Sequence, residues 1–157
     1  MNLRIRKKSR TGSAAVELAV CLPFLLMVVF GIWEVGRMVQ VQQLASNAAR
    51  EGGRQAAAGL ASSTSIRQYV VNYLNMNGLT GVDLTMVTLT NITNGSRSEP
   101  TSANQLDQFR VSVNIPYSSI RWSTVGQITS TAVVTASADW YSMRDLPVTV
   151  STVIPTN

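Results

Sequence analysis

The sequence predicts an α+β protein in which a long N-terminal helix is followed by a short helix and a small antiparallel sheet of three or four strands. Three patterns support this fold class. The run from Gly12 to Trp33 is almost wholly apolar. Beyond it, small and apolar side chains recur at three- and four-residue steps to about residue 58, which is typical of a helix. The second half of the chain contains segments of alternating apolar and polar residues, which are typical of half-buried strands.

The apolar run is long enough to cross a bilayer as a helix. From Ser13 to Trp33 it would extend about 30 Å at 1.5 Å per residue, which matches the hydrocarbon core of a membrane. Its single charged residue is Glu17, near its start. Pro23 lies inside the run and is expected to bend the helix or free a backbone carbonyl. We therefore expect residues 13–33 to form a single transmembrane helix in contact with the lipid bilayer.

The charge distribution indicates how the chain is oriented. The 157 residues include 13 Lys+Arg and 8 Asp+Glu, for a net charge of +5. Five of the basic residues lie in the first ten positions, and the eight that follow are balanced by the acidic residues. A basic leader over residues 1–12 places the N-terminus in the cytoplasm and residues 61–157, the head, outside it, in the periplasm or the extracellular space. The neutral remainder argues against nucleic acid as a partner.

The second half of the long helix, residues 34–60, is predicted to be its amphipathic continuation. Small side chains at helical spacing allow another helix or sheet to approach closely. They are predicted to pack either against this protein's own strands, the more common arrangement, or against a neighbouring subunit. Arg50 and Glu51 could recognise a partner, although a solvated helix face is the simpler interpretation. The predicted helix-packing residues are Pro23, Ala45, Ala48, Ala49, Gly52 and Ala56.

The remaining elements follow from turn signals and alternation. Gly59 is predicted to end the long helix, and a hydroxyl residue among 62–65 to cap a short helix over 66–75 that ends at Asn77-Gly78. Strands are predicted over 82–90, 109–115, 127–141 and, as a short fourth, 148–153. The polar segment between the first two strands contains two sequences that match glycosylation acceptors, at Asn91 and Asn94, but a plain polar loop is the expected interpretation.

The residues needed for catalysis are scarce in this chain. It has no histidine, its last lysine is Lys8, and its one cysteine, Cys21, lies in the apolar run. The carboxylates of the second half are scattered, with no pair at a spacing that favours acid–base catalysis. We therefore expect no catalytic residues, no cofactor and no metal, and a protein that is not an enzyme.

The start of the apolar run resembles a type IV prepilin processing site. Gly12 is followed by Ser13-Ala14-Ala15-Val16-Glu17, behind a basic leader and ahead of an apolar helix. The resemblance implies that a prepilin peptidase cuts between Gly12 and Ser13 and that Glu17 becomes the fifth residue of the mature chain. It also implies a role for Glu17 in assembly, because its carboxylate would pair with the new ammonium group of a neighbouring subunit.

A longer pattern resembles the TadE-like family of the tight-adherence (Tad) pilus systems. The matching features lie in a fixed order: Ala15-Val16-Glu17, Leu22-Pro23, Gly31 with Glu34, Gly36-Arg37, Ala48-Ala49-Arg50-Glu51-Gly52, and Arg54. The resemblance implies a pseudopilin or minor pilin, a structural component of a Tad (type IVc-like) pilus assembly or secretion system that serves cell adhesion. The implied partners are prepilin peptidase, other pilins or pseudopilins of the system, and the inner-membrane assembly platform. Leu18 stands where the major pilins usually carry a tyrosine, which argues against a main shaft subunit.

Two alternatives use the same sequence features differently. The protein could be a membrane-anchored extracytoplasmic binding or adhesion domain that never enters a filament, and such a domain would not need Glu17. It could also be a secreted hydrolase with an uncleaved signal, but no cluster of polar residues in the sequence favours this. A membrane-anchored binding domain is expected in the inner (cytoplasmic) membrane. A pseudopilin is expected either in that membrane or in the pilus.

Overall fold

The computed structural model describes residues 11–119 and 132–144 of the chain. The predicted α+β class is confirmed: a long helix and a short helix precede a three-stranded antiparallel sheet. The chain divides into two compact units, one up to Arg37 and one from Met38 onwards. The helices and strands are α1 (Thr11–Ala58), α2 (Ser63–Met76), β1 (Val87–Asn91), β2 (Gln108–Pro116) and β3 (Val133–Tyr141). The name head is used from here on for the second unit, which includes the end of α1 as well as the predicted head.

The first unit consists of the N-terminal part of α1. Every side chain from Gly12 to Trp33 is exposed, although most of them are apolar. Among the described residues, α1 is the one helix long and apolar enough to cross a membrane, and none of its most apolar stretch is buried. Pro23 lies within the helix, where its missing N–H leaves the carbonyl four residues earlier without its usual partner.

Glycine and serine residues set the helix ends in the second unit, as predicted. Gly59 has a φ of 66° and its N–H donates to the Ala56 carbonyl at 3.1 Å, which ends α1. The Ser62 hydroxyl accepts a hydrogen bond from the Ser65 N–H at 3.3 Å and caps α2. Because the cap is the first of the four hydroxyl residues, α2 begins three residues earlier than predicted. It ends at Met76, with Asn77 as the C-cap, followed by Gly78 with a φ of 87°.

The sheet is a meander in the order β1-β2-β3, with both pairs antiparallel. Val113 on the central strand lies opposite Val87 of β1 and Ala136 of β3, which sets the register on the buried face. The predicted strand over 109–115 is confirmed, and so is the part of the predicted third strand that corresponds to β3. Ala132, which the prediction includes, lies just before β3 and is not in the strand. Residues 127–131 of that prediction and the predicted strand at 148–153 lie outside the described residues.

The predicted start of the first strand, Val82, is wrong. The Asp83 carboxylate accepts a hydrogen bond from the Thr85 N–H at 2.8 Å and caps a 3-10 turn over Leu84–Met86. Aspartate side chains readily bond to the backbone two residues on and so compete with strand formation. The alternating pattern over 82–86 therefore belongs to this turn, and β1 begins at Val87.

The hydrophobic core lies between the inner face of the sheet, α2 and the second-unit part of α1. Its largest fully buried side chains come from all of these elements and from the turn after β2. Burial of such side chains contributes about 1.5–3 kcal/mol each relative to exposure. The fully buried large residues include Val41, Ile66, Val70, Leu74, Val87, Phe109, Val111, Val113, Ile115 and Tyr117.

Candidate functional site

The predicted processing site lies in the first turn of α1. Gly12 is the second residue of the helix, and a Cβ added there would have no neighbour within 4 Å. The Ser13 hydroxyl donates to the Glu17 carboxylate at 3.3 Å, one turn along the helix. No cation in residues 11–119 or 132–144 forms an ion pair with Glu17. Within the described residues, the only partner of this carboxylate is therefore a neutral hydroxyl.

The small residues of α1 lie in the protein's own core. Ala45, Ala48, Ala49 and Ala56 are fully buried, and Gly52 is buried as well. The structure thus places this face against the protein's own α2 and sheet, the first of the two arrangements considered above. Pro23, the other predicted packing residue, is exposed in the first unit.

Gly52 and Gly53 allow α1 to approach two different elements. A Cβ on Gly52 would lie 2.6 Å from Val70 Cγ2 on α2 and 3.3 Å from Val111 Cγ1 on β2. A Cβ on Gly53 would overlap the indole ring of Trp140 on β3. Gly52 is one of the predicted helix-packing residues, but the sequence does not indicate which elements approach this Gly-Gly pair. The contact with Trp140 depends on the register of β3, for which the sequence near Gly53 carries no signal.

A groove lies on the head beside this contact, at the end of the segment that resembles the TadE-like family. Its volume is ≈ 280 Å³. It is lined by residues of α1, α2 and β3. These are Asn47, Arg50, Glu51, Arg54, Tyr69, Tyr73 and Trp140.

One ion pair lies within the groove. Arg54 donates to Glu51 from Nε at 3.0 Å and from Nη2 at 2.6 Å. The hydrogen bonds from Arg54 lower the pKa of the Glu51 carboxyl below its ordinary value, and the same contact raises the pKa of Arg54. Glu51 is therefore ionised at neutral pH, and both of its carboxylate oxygens already accept hydrogen bonds from Arg54. Arg50, the other residue considered for recognition, is exposed.

The loop between β1 and β2 is closed by a buried polar pair. Asn91 donates from Nδ2 to the Arg97 carbonyl at 2.9 Å and to Asp107 Oδ2 at 3.1 Å, and the Asn104 N–H donates to the same carboxylate oxygen at 2.9 Å. Asn91 and Asp107 are 6% and 4% exposed. The nitrogen that glycosylation would modify is thus bonded inside the loop, which supports a structural role for Asn91.

The carboxylates of the described head serve its structure. Each one accepts at least one hydrogen bond from a side chain or a backbone N–H of the same head. None belongs to a group of three metal-ligating side chains among the described residues. The set comprises Glu51, Asp83, Glu99, Asp107 and Asp139.

The structure thus defines a class of protein in which an exposed apolar helix precedes a small α+β head. Within that class, residues 12–54 match the family model of the TadE-like proteins. The resemblance is confirmed over this segment, which includes Gly12, Glu17 and the Ala48–Arg54 motif and ends at the groove. The match leaves α2 and the sheet outside it. Searches among curated proteins and among solved structures found no match.

Proposed function

We propose that this protein is a structural, non-catalytic pseudopilin or minor pilin of a Tad (type IVc-like) pilus assembly or secretion system. The observation that carries the proposal is the family match over residues 12–54, which covers both the processing site and the apolar helix. The exposed apolar face of α1 supports it, because such a surface needs lipid or the helices of other subunits to cover it. The structural use of the head carboxylates supports a non-catalytic role.

In this proposal, prepilin peptidase cuts after Gly12 on the cytoplasmic side of the inner membrane. Gly12 is the second residue of α1, and the end of a helix frays more readily than its interior, which makes this site accessible for cleavage. The five basic residues that precede Gly12 support the cytoplasmic location of this end. The head then lies in the periplasm or outside the cell.

Cleavage changes the electrostatics of the helix start. The new ammonium group at Ser13 adds to the positive end of the helix dipole, which is unfavourable unless an anion lies nearby. Glu17 carries such an anion, and its only partner in the described chain is the Ser13 hydroxyl. Pairing of the ammonium of one subunit with Glu17 of the next satisfies both charges on assembly and sets the register between subunits.

The processing step is tested by co-expression with a prepilin peptidase, followed by N-terminal sequencing of the membrane-bound product. We expect a mature chain that begins at Ser13. A chain that still begins at Met1 contradicts processing while leaving the membrane anchor intact.

The charge-pairing step is tested with Glu17→Ala in cells that assemble the pilus. We expect loss of piliation with membrane insertion unchanged. In this variant the Ser13 ammonium group of the neighbouring subunit has no carboxylate with which to pair. Ser13→Ala is the matched control, since it removes the intrachain hydroxyl and keeps the new amine. Equal loss of piliation in both variants would show that Glu17 acts within its own helix and not between subunits.

A tethered binding or adhesion domain is the second candidate, and the groove on the head favours it. In that case Glu17→Ala leaves the function intact. Immunogold labelling of intact cells and sheared filaments distinguishes the two candidates, because a pseudopilin incorporated in the pilus is labelled on filaments and a tethered domain only on the membrane.

A further inference from the structure

We propose that the groove of the head binds an acidic segment of a partner protein, with a partner carboxylate on Arg50 and its apolar neighbour against Tyr69, Tyr73 and Trp140. This inference is independent of filament formation, because a pseudopilin and a tethered binding domain would present the same groove.

Several side chains that line this groove carry hydrogen-bond donors that a ligand could use. Within the described part of the chain, the Arg50 guanidinium, the Trp140 indole N–H and the hydroxyls of Tyr69 and Tyr73 have no hydrogen-bond partner. The single carboxylate in the lining, Glu51, is held by Arg54. The lining therefore has one positive charge in excess and an excess of donors, which an anionic acceptor complements.

The walls of the groove favour a peptide over a small inorganic anion. Three of its seven lining residues are aromatic, and Tyr69 is 40% exposed. Tyrosine and tryptophan rings offer large contact areas to apolar side chains at a low entropic cost, and they are enriched at protein interfaces. A volume of ≈ 280 Å³ accommodates one or two side chains of an extended segment. The pattern that fits is a carboxylate adjacent to an aromatic or aliphatic side chain.

The charges of the head point to a different protein as the source of this carboxylate. Each of the five acidic residues in the described head already accepts a hydrogen bond from that head, as described above. A second copy could therefore offer from its described head only carboxylates that already accept hydrogen bonds in their own chain. An acidic segment of another subunit or of a ligand can offer a carboxylate whose acceptor sites are all unoccupied.

The proposal is tested with the full chain in detergent micelles, carrying Trp33→Phe and Trp122→Phe so that Trp140 is the fluorescent reporter. The probe is the peptide acetyl-Gly-Glu-Phe-Glu-Gly-amide, and its analogue with glutamine in place of both glutamates is the comparison. We expect a saturable change in Trp140 fluorescence with the acidic peptide and at least about tenfold weaker binding of the analogue. Arg50→Gln should weaken binding of the acidic peptide by a similar factor, as expected for loss of a charge-assisted hydrogen bond.

Arg97→Gln is the matched control, because it removes the same charge from an exposed residue outside the groove. We expect it to change the affinity by less than about twofold, as for a distant screened charge. Equal binding of the two peptides, no binding of either, or equal weakening by Arg50→Gln and Arg97→Gln would overturn the proposal. Self-association of the parent chain that Arg50→Gln abolishes would also overturn it, since the occupant would then be a second copy.

Discussion

Gly52 offers the most direct test of how α1 packs in the head. In Gly52→Ala, the new Cβ would lie 2.6 Å from Val70 Cγ2, whereas carbon atoms in contact prefer about 3.5–4.0 Å. Val70 is fully buried, and its β-branched side chain has little rotamer freedom in a helix. To remove this overlap between the new Cβ and Val70, α2 must move away from α1 by about 1 Å. Such overpacking costs about 1–3 kcal/mol, and the gain in helix propensity offsets about 1 kcal/mol of it.

We therefore expect Gly52→Ala to lower the free energy of unfolding of the head by up to about 2 kcal/mol. The assay is denaturant unfolding of the full chain in detergent micelles, followed by near-ultraviolet circular dichroism. Val70→Ala removes the obstructing methyl group, so the double variant should be more stable than the sum of the single effects by about 1 kcal/mol.

Gly36→Ala is the control for helix propensity, because it lies on the same helix and its new Cβ would have no neighbour within 4 Å. It should leave the free energy of unfolding of the head unchanged or raise it by up to about 1 kcal/mol. The packing argument is refuted if Gly52→Ala stabilises the head, or if its effect equals that of Gly36→Ala.

Two further predictions concern polar pairs of the sheet and its loop. The bidentate hydrogen bonds from Arg110, at 2.7 Å, lower the pKa of the Asp139 carboxyl, so this pair stabilises the fold above about pH 4 and the contribution is lost as the pH falls through the lowered pKa. Unfolding measured between pH 2 and 7 should therefore show a weaker acid dependence in Arg110→Gln, and identical profiles would contradict this. Asn91→Ala should lower the free energy of unfolding by about 1–3 kcal/mol, because it leaves the buried Asp107 carboxylate without its side-chain donor. Asn94→Ala, which alters the second acceptor-like sequence, is the control, and equal losses in thermal unfolding would count against a special role for Asn91.

The elements that could be predicted from sequence are those in which local preference and burial agree. Gly59 ends α1 and a serine caps α2, because these residues suit those positions regardless of their surroundings. The alternation over 109–115 gives β2, because its apolar side chains face the core. Alternation wrongly predicts a strand that starts at Val82, because it does not reveal that the Asp83 side chain accepts a hydrogen bond from the backbone N–H of Thr85.

Some of the candidate site residues could likewise be predicted from the sequence, and others could not. Gly12, Ser13 and Glu17 could be found from sequence, because their spacing carries the signal and they need no other part of the chain. The groove could not be predicted, since it depends on Trp140 lying beside a helix residue 87 positions earlier. The sequence does not distinguish Arg50 from Glu51 as a recognition residue, since both are charged residues of the same helix. The structure pairs Glu51 with Arg54 and leaves Arg50 exposed.

The long apolar helix, the α+β class and the resemblance over residues 12–54 could be read from the sequence alone, because hydrophobicity, helical spacing and turn residues are local properties. The folded head was needed to show that the small residues of α1 pack against the protein's own α2 and sheet, and that Gly53 makes room for Trp140. The reason is physical: a small side chain permits close approach from any neighbour, and which neighbour approaches is set by strand register and helix packing across the whole head.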